Sequence, residues 1–466
     1  MSTRALTALA LVTAVQLTGC AAFRSYDSEL KETNQQLVTG NVDAALGTLE
    51  KNNTSADKDL LYYFEKGELL RAKGDFTGSQ TAWRTADQVV FKWEESVKLD
   101  TDKYLAQFGS FLVNDKVRRY EGYDYEKVML TTQMALNLLA SNDFDGARTE
   151  IKKTHEREAV IAELRDKEYL KSEQEAETRG VRTQYKDLQG YPVASLDAPE
   201  VVGLKNSYQS AFSHYLSGFV YEALGEQGLA APGYRKAAEL RPNTPLLEQA
   251  LKDLDASSSR KGKDDSSDVL VIVQSGFAPA RDSVRIPLPL PISGNLVITP
   301  LSFPVIKPDT TTPAFNQITL DGKPLNLTLL NSTTDMSRRA LRDDMPGIIL
   351  RTTVRAITRG VAQKQLNDVN PLAGLAVGIA SAVTEGADTR TWRTLPDNTL
   401  VARLRLPQGE HQIVLPNSLG GSRVQIKVDQ RYQVIPLRAL GNQVYAGSLA
   451  AQVMPSTAQQ AIATAK

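Results

Sequence analysis

A chain of 466 residues with 54 basic and 54 acidic side chains is electrically balanced, and it holds one cysteine, Cys20. One thiol excludes an internal disulfide framework and any cluster of cysteine ligands, so the fold has to rest on its apolar core. The length allows two or three domains, and the balance hides an asymmetry. Residues 20–268 carry 33 basic and 42 acidic groups, and residues 269–466 carry 20 and 12. Halves of opposite sign point to mutual docking or to two different partners.

The chain begins with Arg4, then a mostly apolar run from Ala5 to Leu17, then Thr18, Gly19 and Cys20. A charged end, a short apolar stretch and a small residue form a bacterial export signal. The run is shorter than the roughly 20 residues a membrane-crossing helix needs. A cleavage site ending at Cys in "LTGC" resembles the lipobox of bacterial lipoproteins; an ordinary signal peptide with an incidental Cys is the alternative. The resemblance implies cleavage before Cys20 and acylation of it. Several acyl chains, at about 0.8 kcal/mol per buried CH2, make a stable anchor. Ala21 follows the Cys where retention in the inner membrane usually requires Asp. The resemblance therefore implies an outer-membrane location facing the periplasm, with residues 1–19 as signal and 20–25 as lipid tether.

Residues 26–255 read as helical repeats. "GELLRAKGDFTGSQTAWRTA" sets Gly67, Gly74-Asp75-Phe76, Ser79, Trp83 and Ala86 at the spacings of a tetratricopeptide repeat, a 34-residue pair of antiparallel helices. Small residues let the two helices approach, the Gly-Asp turn reverses the chain, and the aromatic fills the gap to the next unit. Ala135, Asn142-Asp143-Phe144 and Ala147 repeat the pattern, as do Gly218, Gly225, Ala230, Tyr234 and Pro242. A weaker copy places Gly40, Ala45 and Leu49. Extra length falls in a long charged helix from His155 to Gly180. Neighbouring units must stack to bury their faces, which gives a solenoid with a concave surface for an extended peptide or a partner helix. The positions expected there are Phe64, Glu68 and Arg71, then Met129 and Leu136, then Tyr215, Phe219 and Glu222. Ordinary packing is the competing reading for the apolar ones.

"ASSSRKGKDDSSD", residues 256–268, has no large apolar side chain and reads as a linker. Residues 269–455 then change period. "DVLVIVQSGF" reads as a buried strand. Prolines 287, 289 and 291 exclude a central strand and predict an edge or an extended arm. Asp321-Gly322 and Gln408-Gly409 read as hairpin turns, and "SRVQIKVDQRYQVIPLRAL" as another hairpin. The sum is a small β-sandwich-like domain with a helical insert over 335–386 and a tail over 456–466. The predicted fold class is thus mainly α followed by α+β. In the insert, Arg351, Arg355 and Arg359 form a basic stripe, either solvated or paired within the molecule, or facing an acidic partner that could be the chain's own acidic half. Residues 371–383, "PLAGLAVGIASAV", are too few to span a bilayer and read as a tightly packed buried helix or a membrane contact.

"GYDYEKVMLTTQMALNLLASNDFDGARTEIKKTHERE" together with "GADTRTWRTLPDNTLVARLRLPQGEH" resembles a widespread group of uncharacterised proteobacterial outer-membrane lipoproteins with tetratricopeptide-like repeats and a C-terminal ADxRxWxxLP motif, here residues 387–396. "VRIPLPLP" and "SHYLSGFVYEALGE" also resemble segments of that group. The resemblance implies an outer-membrane lipoprotein, with a hint of kinship to lipoproteins related to peptidoglycan-synthase activators. Within the motif, Trp392 is expected to anchor a loop onto the sandwich.

Catalytic signals are weak. His155, His214 and His411 have no metal partner at ligand spacing, and G-x-S-x-G, P-loop and G-x-G-x-x-G patterns are absent. S-x-x-K occurs at Ser28–Lys31 and Ser258–Lys261, assigned to the tether and the linker, where no rigid site preorganises a nucleophile. Carboxylate pairs such as Glu94-Glu95 and Asp343-Asp344 are common surface features. The expectation is a non-enzymatic interaction scaffold in the cell envelope, lipid-anchored at Cys20. It needs no metal or other cofactor, takes periplasmic or outer-membrane protein partners, and has no nucleic-acid partner or small-molecule substrate. The alternative is an enzyme acting on cell-wall glycan, which a deep polar pocket with converging carboxylates would favour.

Overall fold

The computed structural model describes residues 26–108, 119–257, 266–292, 294–369 and 386–454. Cys20, the signal and tether, residues 258–265 of the linker, the 371–383 run and the tail lie outside the described residues.

Four helical hairpins follow one another: α1 (Tyr26–Val38) with α2 (Val42–Asn52), α3 (Leu60–Lys73) with α4 (Phe76–Leu99), α6 (Asp124–Leu139) with α7 (Phe144–Arg179), and α9 (Ala211–Ala223) with α10 (Gln227–Leu240). The short helices α5 (Thr101–Phe108) and α8 (Pro199–Val202) lie between units, and α11 (Pro245–Ser257) ends the array. One turn chemistry builds all four reversals. Gly40, Gly74, Asn142 and Gly225 have φ of 86, 85, 65 and 76°, the left-handed geometry that glycine and asparagine tolerate. In three of them the next residue caps the second helix: Asn41, Asp75 and Asp143 accept from the backbone N–H of Ala44, Gly78 and Gly146. The faint copy at Gly40 therefore builds the same hairpin as the others. It also places Ser28 and Lys31 within α1 rather than in a tether.

The small residues do what their spacing predicts. A Cβ on Gly67 would sit 2.2 Å from Nε1 of Trp83, and one on Gly218 would sit 2.5 Å from the Tyr234 ring. Each glycine lets an aromatic from the second helix lie across the first.

The C-terminal half contains two five-stranded sheets. The first runs β11 (Gln443–Ala446), β10 (Tyr432–Leu440), β1 (Ser266–Phe277), β7 (Pro396–Pro407), β6 (Thr328–Ser332). The second runs β12 (Ala451–Val453), β9 (Arg423–Val428), β8 (Gly409–Val414), β4 (Gln317–Leu320), β5 (Lys323–Asn326). Val269, Val271 and Val273 share a core with Ile318, Ile413, Val424 and Ile426 across the two sheets. Asp321 and Gly322, both at positive φ, close the β4–β5 hairpin as expected. Two other hairpins are corrected. β7 pairs with β1 while β8 pairs with β9, and β10 pairs with β1 while β9 pairs with β8. Gln408-Gly409 and the turn after Val428 are therefore corners where the chain changes sheets.

The prolines mark an arm. β2 (Ala280–Ile292) and β3 (Asn295–Lys307) form a separate two-stranded ribbon, with Pro287 opposite Pro300. Prolines at alternate positions place their missing N–H groups on one edge, away from the ladder. The ribbon packs Ile286, Leu301 and Phe303 against Leu341, Met345 and Ile349 of α12 (Thr333–Val369).

The two halves share their cores. β1 carries five consecutive fully buried residues, Val269 to Val273, because its sheet is covered on both faces. Valines 269, 271 and 273 face the second sheet, and Leu270 and Ile272 pack with Leu136, Phe212 and Phe219 of the helical array. A second shared core joins Phe64, Trp83 and Met129 to Met336, Trp392 and Leu395. The boundary near residue 257 divides helices from strands, but both ends of the expected linker are ordered. α11 runs to Ser257, β1 starts at Ser266, and Ser267 is buried.

Candidate functional site

The groove expected to receive a partner is filled by the protein's own C-terminal half. Phe64, Glu68, Arg71, Tyr215, Phe219 and Glu222 are between 0 and 5% exposed. Met129 and Leu136 are fully buried. Phe64 stacks on Trp392 with ring centroids 4.4 Å apart. Glu68 accepts from Arg438 Nε of β10 at 2.9 Å, and Arg71 donates to Gln274 of β1 at 3.0 Å. Phe219 meets Tyr432 edge-on at 5.8 Å. Tyr215 packs against Tyr234 within the core that also receives Leu270, Val401 and Val434. Glu222 accepts from Arg403 Nη2 at 2.8 Å, and the same guanidinium is held by Asp268 at 2.9 and 2.7 Å. These six residues are corrected from a free concave surface to an internal seam. The spacing located the concave face; what it could not locate was the occupant. Arg438 with Glu68 and Arg403 with Glu222 pair charges of opposite sign across the seam, and a buried pair adds little net stability once desolvation is counted.

Residues 391–395 of the motif enter that groove, through a turn at Arg393 and Thr394. Trp392 is fully buried, stacked on Phe64 and 5.9 Å from the Trp83 ring. Two buried carboxylates read the backbone beside it. Glu126 accepts from Trp392 N at 2.7 Å and Thr391 Oγ1 at 2.8 Å. Glu65 accepts from Arg393 N at 2.8 Å and Thr394 N at 3.0 Å. Three consecutive amide donors thus meet two acids on α3 and α6. Burial pushes the Glu65 carboxyl up to about 7 against the pull of these donors. Glu126 is raised for the same reason. Trp392 therefore anchors onto the helical array, not onto the sandwich. Glu65 and Glu126 escaped sequence reasoning; the available signal was an acid inside the apolar runs "LLYYFE" and "YDYEKVML".

Beside the groove is a cavity of about 840 Å³, walled by α4, α6, α7, the ribbon, α12 and residues 386–390. Its wall is aromatic and charged. Trp93 donates to Tyr104 at 2.9 Å, and Tyr104 donates to Glu121 at 2.6 Å. Lys127 sits 3.7 Å above the Trp93 ring. Arg165 gathers three acids: Asp124 at 2.5 Å, Glu168 at 2.8 Å and Asp344 at 3.1 Å. Burial raises the Asp344 carboxyl to about 6, although Arg165 pulls it down. Burial also acts on Asp124, but Arg165 and Lys127 outweigh it and hold that carboxyl low. Asp388 takes both arms of Arg390, which lies over the Tyr120 ring at 5.4 Å. Arg281, on β2, lies 4.2 Å over the Tyr123 ring.

The basic stripe belongs to this cavity. Arg351 and Arg355 line it, Arg355 is 5% exposed, and Arg359 is half-buried. Of the readings open to the stripe, the solvated one does not hold at Arg355, which is buried where α12 lies along the ribbon. The histidines are accounted for without a metal. His214 bonds Glu158 at 3.1 Å and stacks on His155, and His411 bonds Asp321 at 2.6 Å. Among the described residues, no group of three or more His, Cys, Asp or Glu is arranged to hold a metal ion.

No family model matches the chain, and no curated protein matches it. Among solved structures, the chain is similar to a tetratricopeptide repeat protein from Parabacteroides merdae ATCC 43184. The identity is 13%, over 49% of this chain and 98% of that one, with a TM-score of 0.13. The repeat architecture described above rests on its own turns and packing, not on that likeness. Among the described residues, no helix is long and apolar enough to cross a membrane.

Proposed function

We propose that this protein is a lipid-anchored scaffold on the periplasmic side of the outer membrane, acting in cell-envelope assembly or maintenance through protein partners and without catalysis. On this reading the hairpins are of the tetratricopeptide kind, Cys20 carries the lipid, and the chain belongs with the lipoproteins that its ADTRTWRTLP motif resembles. The observation that carries the reading is the capture of residues 391–394 by Glu126 and Glu65, with Trp392 on Phe64. A helical array that grips a chain segment by its amides and one aromatic is built to hold peptide. Here it holds its own, which welds the two halves into one body. Partners then engage what stays open: the outer side of α7 beside the cavity and the tip of the arm, where Leu170, Leu296 and Ile298 are 60, 74 and 72% exposed.

A photo-crosslinking residue placed in the full-length protein in cells tests this. Positions Leu170 and Leu296 should give adducts with an envelope protein, and positions Glu68 and Tyr215 should give none. Adducts absent from the first pair in a folded, correctly localised protein sink the scaffold reading.

A second reading has one observation in its favour. Asp344, raised to about 6 in a cavity wall, holds its proton closer to neutral pH than an ordinary carboxyl does, as a general acid must. An enzyme acting on cell-wall glycan would use it there. Against that, Asp344, Asp124 and Glu168 converge on Arg165 rather than on open space. Release of fragments from purified cell-wall glycan by the wild type, abolished in Asp344→Asn, would establish the enzyme; no turnover by the wild type removes it.

A further inference from the structure

Among the described residues, several buried guanidinium groups meet acids, and Arg281 meets none. Arg157 meets Glu94 and Asp87, Arg403 meets Glu222 and Asp268, and Arg438 meets Glu68. Arg281 is 4% exposed, and neither its Nε nor its Nη1 has a hydrogen-bond partner. A buried charge with unmade hydrogen bonds is among the more destabilising features a fold can retain, and folded proteins rarely keep one. Its position is fixed all the same. The residue pairs with Ile306 across the ribbon, and its guanidinium plane rests on Tyr123. The ring covers one side of the group, and Arg281 is among the residues that line the cavity.

The acids near it are engaged elsewhere. Asp344 accepts from Arg165, and Asp388 gives both oxygens to Arg390. Both hold the surrounding potential down without supplying the hydrogen bonds Arg281 lacks. Glu173 and Glu177 also line the cavity, from the exposed end of α7, and Asp187 from an exposed turn.

We propose that the cavity is a binding site for a ligand carrying an oxyanion, carboxylate or phosphate, and that Arg281 is the residue that receives it. Both groups match the planar donor fork of a guanidinium. The volume of about 840 Å³ is far larger than one such group needs, so the oxyanion is one end of a larger molecule. The rest of that molecule lies along the mixed wall of Leu164, Tyr169, Ala176 and Ile348. This ligand site is independent of the protein-partner surfaces above, so either can fail without the other.

The test uses the purified full-length protein. Inorganic phosphate and sodium acetate are titrated separately into the millimolar range, at constant ionic strength with chloride as the control. Calorimetry and tryptophan fluorescence follow binding, since Trp93 is in the wall. A saturable response to phosphate, to acetate or to both is expected in the wild type, and which of them binds identifies the oxyanion. In Arg281→Met it should weaken about tenfold or more. Ligand-free Arg281→Met should melt at the same temperature as the wild type or higher, because an unsatisfied buried charge has been removed. A Tm well below wild type would show that the guanidinium is structural and overturn the proposal. So would an equal response to chloride, a response that survives in Arg281→Met, or no saturable response to either anion.

Discussion

Replacing Trp392 by alanine should destabilise both halves at once. The side chain is fully buried, stacked face to face on Phe64 at 4.4 Å and edge-on to Trp83 at 5.9 Å. Truncating a buried Trp to Ala removes about 3–5 kcal/mol. Aromatic pairing of this geometry adds about 0.5–1.5 kcal/mol beyond area. The total is a large share of the roughly 5–15 kcal/mol that separates native from unfolded in a typical domain. The backbone bond from Trp392 N to Glu126 survives the substitution, so the loss is assigned to the ring. The assay is urea denaturation followed by two signals. All three tryptophans, Trp83, Trp93 and Trp392, belong to the shared core, so fluorescence reports the seam. Circular dichroism at the helical band reports the array. In the wild type the two curves should coincide, and in Trp392→Ala both should shift together to lower urea. A helical transition that stays in place while only the β-half unfolds early would refute the shared core.

Four further outcomes can be measured. Gly67→Ala should cost about 1–3 kcal/mol by forcing Trp83 out of place, whereas Gly47→Ala, with nothing within 4 Å of its Cβ, should stabilise by about 0.5–1 kcal/mol in a thermal melt. The Glu65 carboxyl is raised by burial from 4.5 to about 7, so its contribution is fully present below about pH 4.5 and is lost as pH rises through about 7. Relative to Glu65→Gln, the wild type should therefore lose up to about 3 kcal/mol between those limits in urea melts; a pH-independent difference refutes the shift. Cys20→Ser should leave the protein soluble or as unprocessed precursor on cell fractionation, and mass spectrometry of the mature N-terminus finding an unmodified Cys20 would sink lipidation. Protease should nick the polar stretch around residues 258–265, yet the two fragments should co-elute on gel filtration, held by the buried seam.

The seam also changes what substitutions on the concave face mean. Sequence reasoning expects Arg71→Ala and Tyr215→Ala to weaken partner binding with little loss of stability. Arg71 is held by Gln133 and Gln274 and Tyr215 sits in the shared core with Leu270 and Ile272, so both substitutions should lower the melting temperature instead.

The sequence by itself determined what is local. The four turns at Gly40, Gly74, Asn142 and Gly225 are legible because a left-handed residue, followed in three of them by a helix cap, is decided within a few bonds. Gly67 with Trp83, and Gly218 with Tyr234, are legible because the helical hairpin fixes their distance. The proline arm and the Asp321-Gly322 hairpin follow from backbone constraints at the residues themselves. Tertiary structure alone decided which surfaces meet. A concave face and a buried strand each demand a cover, but nothing in their periodicity says that Gln274 of β1 meets Arg71, or Trp392 meets Glu126, across more than 200 residues. The alternation of β7 and β8 fits a hairpin and a sheet-changing corner equally, because both place side chains on opposite faces at period two. The cavity with Arg281 is of the same kind. Its residues come from separate helices, a ribbon and a loop, and an arginine without a partner looks like any other until every neighbour has been placed around it.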